Sequence, residues 1–256
     1  MQRNGYKMQV QKINLNNIGR SKGFASDEAY KSLLTNLQFC GSEVQIVTMT
    51  SCMPNEGKST ISLELSKGLA SIGKKVLFID ADMRNSVVVN KYTNARGIKG
   101  LSQLLSGQVS LSDVLYETQY EGFYIIFSGQ VPPNPTDLLN GNKFKSLINS
   151  SKEIFDYVII DTPPLGLVID AAVIANCSDS AVLVCGSGKV SYRLAQSVVK
   201  QLNKSGCNII GAVLNDVNRK GKGGRYYSYT YGRDYGREYS KGYGHKYRED
   251  DGDANR

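Results

Sequence analysis

The sequence predicts an α/β fold in which a doubly wound, mainly parallel sheet carries helices on both faces. Its strand-like segments are apolar at nearly every position, which is typical of strands buried on both sides, and helical patterns separate most of them. The strands are predicted at residues 44–50, 76–79, 123–127, 157–160, 181–185 and 209–214. In such sheets ligands bind beyond the carboxyl ends of the strands, so chemistry is expected directly after each strand.

Three helices have clear sequence signals. A helix over 27–39 begins at Ser26 or Asp27, either of which can cap it, and its apolar residues at 30, 33, 34 and 37 share one face. Helices are also predicted over 58–72, which Gly73 ends, and over 191–202, which ends near Gly206. Because 256 residues suit one large domain, we assign 26–217 to that domain, 1–25 to an N-terminal extension and 218–256 to a tail.

Composition argues against several classes of protein. No apolar run approaches the roughly 20 residues that cross a bilayer, and no apolar stretch follows the basic N-terminus, so a cytoplasmic protein is expected. The single histidine, His245, leaves zinc sites and histidine-based triads without their usual groups. Reduced thiols are expected at the five scattered cysteines, Cys40, Cys52, Cys177, Cys185 and Cys207. The net charge of +8 suits nucleic acid, an anionic membrane surface or nucleotide phosphates, and does not choose between them.

A phosphate-binding loop follows the first of these strands, in the segment SCMPNEGKST at 51–60. Backbone N–H groups and a helix N-terminus would face the phosphates, Lys58 would reach the terminal ones, and Ser59 offers a hydroxyl to Mg²⁺. The pattern is met only in part, because Cys52 stands where a glycine is usual and Pro54 stiffens the loop. The alternative is a chance Gly-Lys-Ser between a strand and a helix.

Acidic side chains end two further strands. Asp80 and Asp82 close the segment VLFIDADMR, and their two-residue spacing turns both to one side of the chain. Taken alone, they are equally well read as solvated loop acids balanced by Arg84. Asp161 ends the strand in DYVIID, where P-loop proteins commonly place a second Mg²⁺ anchor. Three acids and the loop together predict a magnesium-nucleotide site.

The last 31 residues hold eight of the chain's sixteen tyrosines, and from 227 to 247 a tyrosine recurs every fourth position. Glycine, arginine, lysine and aspartate separate them, a composition with few aliphatic side chains and hence typical of disorder. Such rings could stack on nucleic acid or be modified. The pattern by itself does not distinguish the two.

Three motifs, SCMPNEGKST, VLFIDADMR and YVIIDTPP, resemble the Walker A, Walker A′ and Walker B motifs of the bacterial tyrosine kinases. Their order and spacing match over roughly residues 25–217, and the segments at 100–107 and 128–139 also look like that family's linking segments. The resemblance implies a P-loop NTPase fold of the deviant Walker A type found in MinD and ParA. The HRD and DFG signatures of eukaryotic kinases are absent from the sequence.

The resemblance also implies cofactors and site residues. ATP and Mg²⁺ are the expected cofactors, with Lys58, Asp80 and Asp82 catalytic and with Ser59, Asp80 and Asp161 serving the metal. The nucleotide is expected to contact Pro54, Asn55, Glu56, Gly57, Lys58, Ser59 and Thr60, with Asn215 near the adenine ring. Asn215 is also read as an ordinary turn residue that closes a strand.

Autophosphorylation of the tail is the family activity that the tyrosine cluster implies. The expected acceptors are Tyr226, Tyr227, Tyr229, Tyr231, Tyr235, Tyr239, Tyr243 and Tyr247. The chain resembles the split, Gram-positive type of this family. That type works beside an integral membrane activator that recruits the kinase to the inner face of the plasma membrane, and it serves capsule or exopolysaccharide synthesis. A tyrosine phosphatase and a homo-oligomer are expected partners, and nucleic acid is not.

Departures from the family and rival functions stay open at this point. Where many members carry a glutamate followed at three-residue steps by two arginines that join subunits into a ring, this chain has Glu28, Lys31 and Leu34. Ring assembly is therefore undecided. A partitioning ATPase is one rival, although its extra lysine near the start of the loop is missing from 51–56. A polyanion-binding tail is the other, since 218–256 has ten basic and six acidic residues, a net charge of +4.

Overall fold

A computed structural model describes residues 10–18 and 24–217 of the chain, without the side chains of residues 24 and 25. Within those ranges it contains one eight-stranded sheet. The strands are β1 (Gln11–Ile13), β2 (Ile46–Ser51), β3 (Val76–Asp80), β4 (Tyr116–Thr118), β5 (Phe123–Ile126), β6 (Tyr157–Asp161), β7 (Ser180–Gly186) and β8 (Asn208–Asn215). Residues up to Asn215 belong to one compact unit, and the chain from Asp216 onward is assigned to a second.

Eight α-helices and one short 3₁₀ helix, Leu111–Asp113, connect these strands within the described residues. The helices are α1 (Phe24–Gln38), α2 (Lys58–Ser71), α3 (Val88–Tyr92), α4 (Leu101–Leu105), α5 (Pro135–Asn140), α6 (Asn142–Lys152), α7 (Asp170–Ala175) and α8 (Tyr192–Lys204). The three helices predicted from sequence correspond to α1, α2 and α8, with ends that differ by at most three residues.

The sheet has the strand order β1-β4-β5-β3-β6-β2-β7-β8. The six strands from β5 to β8 in this order are mutually parallel, which confirms the predicted fold class. β4 runs antiparallel to β5, and β1 pairs in parallel with β4 at the edge of the sheet. Sequence analysis did not identify β1 and β4, because strands of three residues carry no periodic pattern.

Side chains from the central strands alternate between apolar clusters on the two faces of the sheet, and the described residues form three such clusters. On β3, Val76 and Phe78 belong to the core under α1 and α2, whereas Leu77 and Ile79 belong to the core under α4 and α6. Burying each such side chain contributes roughly 1.5–3 kcal/mol. Helices therefore cover both faces of the sheet and leave its carboxyl edge to form the site.

The α1 helix packs on α2 through the face that its spacing predicts. Leu37 is buried, and Tyr30, Leu33 and Leu34 are partly buried against the same core. A β-carbon added at Gly68 of α2 would lie 2.9 Å from Leu34 Cδ1, so position 34 serves internal packing. On the outer side of α1, Lys31 and Glu28 form an exposed ion pair of 2.7 Å.

Two further expectations concern membranes and thiols. No helix among the described residues is long and apolar enough to cross a bilayer. All five cysteines are free thiols, as predicted. Burial raises the pKa of the Cys52 thiol to about 12, so this residue of the phosphate-binding loop is an unreactive core side chain.

Replacing Gly100 with alanine is expected to destabilise the protein. The β-carbon of the introduced alanine would lie 2.3 Å from both the Gly129 backbone nitrogen and the Phe127 carbonyl oxygen, where β5 meets α4. Backbone atoms cannot move aside as a side chain can, so a loss of about 1–3 kcal/mol in the free energy of unfolding is expected. Denaturant unfolding measures it. Gly211→Ala, which meets no atom within 4 Å, is the control and should change stability little; equal losses from both substitutions would contradict the explanation.

Candidate active site

The phosphate-binding loop joins β2 to α2, and it ends at a glycine whose backbone has the left-handed conformation. Gly57 is the N-cap of α2 with φ 89°, a conformation that favours glycine. A β-carbon there would lie 2.1 Å from Asn215 Nδ2, and this nitrogen donates to the Glu56 carbonyl at 2.9 Å. The structure thus brings Asn215, at the end of β8, onto the loop itself.

Glu56 supports the loop from within. Its carboxylate is buried and accepts hydrogen bonds from the Met53 N–H at 2.6 Å and from the Gly186 N–H at the end of β7 at 2.8 Å. Bonds from backbone N–H groups to a carboxylate are stronger than neutral ones. The Glu56 side chain, predicted to contact nucleotide, therefore ties the loop to its neighbouring strand.

Lys58 points into the protein toward the carboxyl end of β6. Its side chain is 7% exposed and Nζ lies 2.7 Å from Asp161 Oδ1, with a second, longer contact of 3.3 Å to Ser59 Oγ. Ser62, one turn further along α2, places its hydroxyl 3.4 Å from the same Asp161 oxygen. The loop and the β6 carboxylate are therefore in direct contact.

Asp80 and Asp161 lie side by side at the carboxyl ends of β3 and β6. The sheet register pairs them directly, and both are fully buried. Among the described residues, Asp161 Oδ2 has no hydrogen-bond partner. A buried polar atom without a partner is rare in folded proteins and calls for an explanation.

The electrostatics of this pair follow from burial and like charge. Burial, and then the nearby Asp161 carboxylate, raise the pKa of Asp80 to about 7, although a hydrogen bond from the Ser86 hydroxyl and the charge on Lys58 oppose the shift. The pKa of Asp161 is also raised by burial, with Lys58 opposing. Two carboxylates with one lysine therefore leave an excess of buried negative charge.

Asp82 completes the acidic group from the loop after β3. The side chain is largely buried, and its Oδ1 accepts from the Asn85 N–H at 3.0 Å. The Asp82 N–H in turn donates to Asp80 Oδ1 at 3.2 Å. Residues 80–85 thus form a tight turn. Within this turn the Asp80 carboxylate accepts from the Asp82 N–H, and the Asp82 carboxylate accepts from the Asn85 N–H.

This donor set fits a divalent cation. Asp161 Oδ2 has no hydrogen-bond partner among the described residues, burial and the neighbouring Asp161 raise the pKa of Asp80, and the Ser59 hydroxyl lies next to Lys58 in the loop. No three Asp, Glu, Cys or His side chains of the described residues converge into a complete metal cage. Mg²⁺ is a cation that binds through one or two carboxylates and completes its shell with water and phosphate.

The Arg84 and Thr60 side chains make contacts that were not predicted from the sequence. Arg84 was read as balancing the acids Asp80 and Asp82; its Nε instead lies 2.6 Å from Asp170 Oδ2. The Thr60 hydroxyl contacts Tyr92 Oη of α3 at 2.9 Å, and the nucleotide contact of Thr60 stays a prediction. Sequence reasoning also missed Ser62, Ser86, Thr136 and Asp170, since no motif covers them.

Comparison with known proteins decides the family. A family model described as an AAA domain matches residues 44–207. The tyrosine-protein kinase CpsD of Streptococcus agalactiae serotype III (strain NEM316) is 44% identical over 193 residues, 75% of this chain and 83% of that protein. The chain belongs to the bacterial tyrosine kinase family. The resemblance carried by the three motifs is confirmed, and the enzyme is a protein-tyrosine kinase of the split, Gram-positive type.

Solved structures agree with this assignment. The kinase domain of the Escherichia coli tyrosine kinase ETK superimposes with a TM-score of 0.71 and 36% identity, covering 74% of this chain and 75% of that one. The septum site-determining protein MinD from Pyrococcus horikoshii, complexed with Mg-ADP, has a TM-score of 0.57 and 27% identity over 69% of this chain and 72% of that one. The predicted P-loop NTPase fold of the MinD type is confirmed.

Longer relatives share only the kinase region. The tyrosine-protein kinase etk of Escherichia coli K12 is 36% identical over 204 residues, which are 79% of this chain and 28% of that protein. The roles of individual residues in the kinase remain predictions. The eight predicted acceptor tyrosines lie outside the described residues.

Changing Asp80 to asparagine should alter how stability depends on pH when Mg²⁺ is removed with a chelator and nucleotide is removed by dialysis. With a folded pKa of about 7 and an unfolded value near 3.9, the folded kinase holds a proton that the unfolded chain releases. The free energy of unfolding contributed by Asp80 is therefore full below about pH 4 and falls as pH rises to about 7, by on the order of 4 kcal/mol.

Asp80→Asn cannot ionise, so it should lose this slope and be more stable than the native kinase above about pH 7. Urea unfolding between pH 4 and 8 measures the difference. Glu121→Gln, at an exposed carboxylate, is the matched control and should keep the native slope. An unchanged slope in Asp80→Asn would show that this carboxyl titrates normally.

Proposed function

We propose that the kinase transfers the γ-phosphoryl group of Mg-ATP to the tyrosines of its own C-terminal cluster, from one subunit to the tail of another. The observation that carries the proposal is the convergence of Lys58, Asp80, Asp82 and Asp161 at the carboxyl edge of the sheet beside the phosphate-binding loop. A tail with eight regularly spaced tyrosines supplies acceptors on the same chain.

Nucleotide binding is assigned to the loop and the start of α2. Backbone N–H groups of Asn55 to Thr60 surround the phosphates at the N-terminus of α2, and Lys58 exchanges its carboxylate partner for the terminal phosphates. Ser59, Asp80 and Asp161 would hold Mg²⁺, which would neutralise part of the phosphate charge. The relative from Pyrococcus horikoshii, complexed with Mg-ADP, supports the pairing of this fold with a magnesium nucleotide.

Asp82 is assigned to the incoming tyrosine. A phenol has a pKa of about 10 and a free aspartate one of about 4, so the carboxylate is too weak a base to remove the proton early. Phosphoryl transfer passes through a loose transition state that needs little nucleophilic push. Orientation of the phenol is therefore the main contribution of Asp82, which accepts the proton late in the transfer.

The tail changes charge as it is modified. Residues 218–256 have a net charge of +4, and each phosphate adds about −1.5 to −2, so about three phosphotyrosines cancel it. An unmodified, basic tail is attracted to a neighbour's acidic site, and a heavily modified one is repelled. The number of phosphates, rather than any single position, then sets how long subunits stay together.

The kinase acts in capsule or exopolysaccharide production beside a membrane activator. The streptococcal relatives named CpsD and a Klebsiella pneumoniae relative named for the cps region support the capsule role. The split type to which the kinase belongs supports an activator that supplies a cytoplasmic segment and recruits the kinase to the membrane. A tyrosine phosphatase would return the tail to its basic state.

Lys58→Met should abolish phosphate on the tail, because the lysine that binds the terminal phosphates is lost. Full-length kinase is incubated with Mg-ATP and the activator's cytoplasmic segment, and mass spectrometry reads Tyr226 to Tyr247. Lys67→Met, nine residues later on the same helix, is the matched control and should keep native phosphorylation. Equal phosphate on native and Lys58→Met protein would refute a self-catalysed reaction.

A mixing experiment tests transfer between subunits. Chains lacking residues 218–256 keep the site and lack acceptors, whereas Lys58→Met chains keep acceptors and lack the donor site. Together they should yield phosphate on the Lys58→Met tail, which neither produces alone.

Turnover of ATP without any phosphotyrosine would instead indicate a regulatory ATPase of the MinD type. Salt-sensitive binding of single-stranded nucleic acid that needs residues 218–256 would favour the polyanion reading.

A further inference from the structure

Arg84 is held by a compact hydrogen-bond network just beyond the acidic turn. Its guanidinium donates to both oxygens of Asp170, from Nε to Oδ2 at 2.6 Å and from Nη2 to Oδ1 at 3.1 Å. Nη2 also contacts Thr136 Oγ1 at 2.9 Å, and that hydroxyl donates to Asp170 Oδ1 at 2.6 Å. The pair is therefore bidentate, which fixes geometry as well as distance.

Burial makes this network rigid. The Asp170 side chain is 1% exposed, whereas that of Arg84 is 39% exposed. A buried carboxylate that lost its partner would carry a large desolvation cost, so Asp170 strongly favours the arrangement in which Arg84 is bound. A lysine cannot replace the planar fork of the guanidinium.

The network joins three segments of the chain, each of which follows the carboxyl end of a strand. Arg84 follows β3, Thr136 lies in the first turn of α5 after β5, and Asp170 begins α7 after β6. Arg84 also lies between Asp82 and Asn85, whose backbone N–H holds the Asp82 carboxylate. Fixing the Arg84 side chain to α5 and α7 therefore fixes the turn that presents Asp82.

The phosphate-binding loop has a separate support. Glu56 bonds it to β7, and Asn215 bonds it to β8, whereas the bonds of Arg84 lead to α5 and α7. Loss of the Arg84 network is thus expected to leave the loop in place.

We propose that Arg84, Asp170 and Thr136 are positioning residues that hold the Asp82 turn in register for phosphoryl transfer. The inference rests on the role proposed above for Asp82. Displacing a reacting group by about 1 Å can cost about 100-fold in rate, whereas nucleotide affinity depends on the loop. The network therefore acts on kcat and not on nucleotide binding.

The first test separates the two quantities in full-length kinase. Arg84→Gln and Asp170→Asn should lower kcat for tail phosphorylation by about 10- to 100-fold, with the Kd and stoichiometry of a fluorescent ADP analogue unchanged. Thr136→Val should have a smaller effect, and Arg84→Lys should recover only part of the rate. The double variant Arg84→Gln with Asp170→Asn should be no slower than the worse single variant, because the two residues act as one unit.

The second test does not depend on which acceptor the kinase uses. Hydrogen exchange read by mass spectrometry should be faster over residues 81–88 in Arg84→Gln than in native kinase, with exchange over 56–66 unchanged. Lys152→Gln is the matched control, since Lys152 also pairs with a carboxylate, Asp179, and is about as exposed as Arg84. It should keep native kcat and native exchange over 81–88.

Two results would overturn the proposal. Native exchange over 81–88 in Arg84→Gln would show that the turn holds itself, and a parallel fall of kcat and nucleotide stoichiometry in both Arg84→Gln and Arg84→Lys would show a purely structural role. Failure of native kinase to phosphorylate its tail would sink the proposed function alone. In that case the kcat comparison is made on ATP hydrolysis, and the exchange result decides.

Discussion

The burial of two carboxylates side by side, Asp80 on β3 and Asp161 on β6, is the constraint on which the site depends. The sheet register places them together, and a single lysine compensates them only in part. Because positive charge is short here, the carboxyl ends of these strands favour binding of a cation. The same shortage lowers the free energy of unfolding when no cation is bound. A functional site that conflicts with local stability is a common arrangement in enzymes.

Two independent supports surround this unstable centre. Glu56 and Asn215 brace the phosphate-binding loop from β7 and β8, and Arg84 braces the acidic turn from α5 and α7. Lys58 joins the two halves through Asp161. Because the donor side and the acceptor side have separate supports, nucleotide affinity and transfer rate can change separately.

Sequence alone predicted the parts of the fold and site that depend on local pattern. The loop around Lys58 and the acids Asp80, Asp82 and Asp161 were singled out because each lies at or just after the end of a buried strand, and the structure brings them together. Contacts between distant segments were not predictable: the Glu56 carboxylate binds a backbone group 130 residues away, and Arg84 binds Asp170 across 86 residues. Short strands such as β1 and β4 were missed because three residues show no periodicity, and only pairing with the sheet defines them.

Burial also determines which tyrosines a tyrosine kinase spares in its own folded region. The ring of Tyr92 is 2% exposed and its hydroxyl contacts Thr60, and Tyr116 and Tyr157 are buried as well. Under the proposed function a phenol enters a neighbour's acidic site, and a buried ring would first have to leave its packing, so the core would protect these rings without any sequence-specific recognition. Tyr192, at 76% exposed, lacks that protection. The folding of a substrate therefore limits which of its tyrosines such an enzyme can use: a ring buried in a core is inaccessible, whereas an exposed ring is accessible.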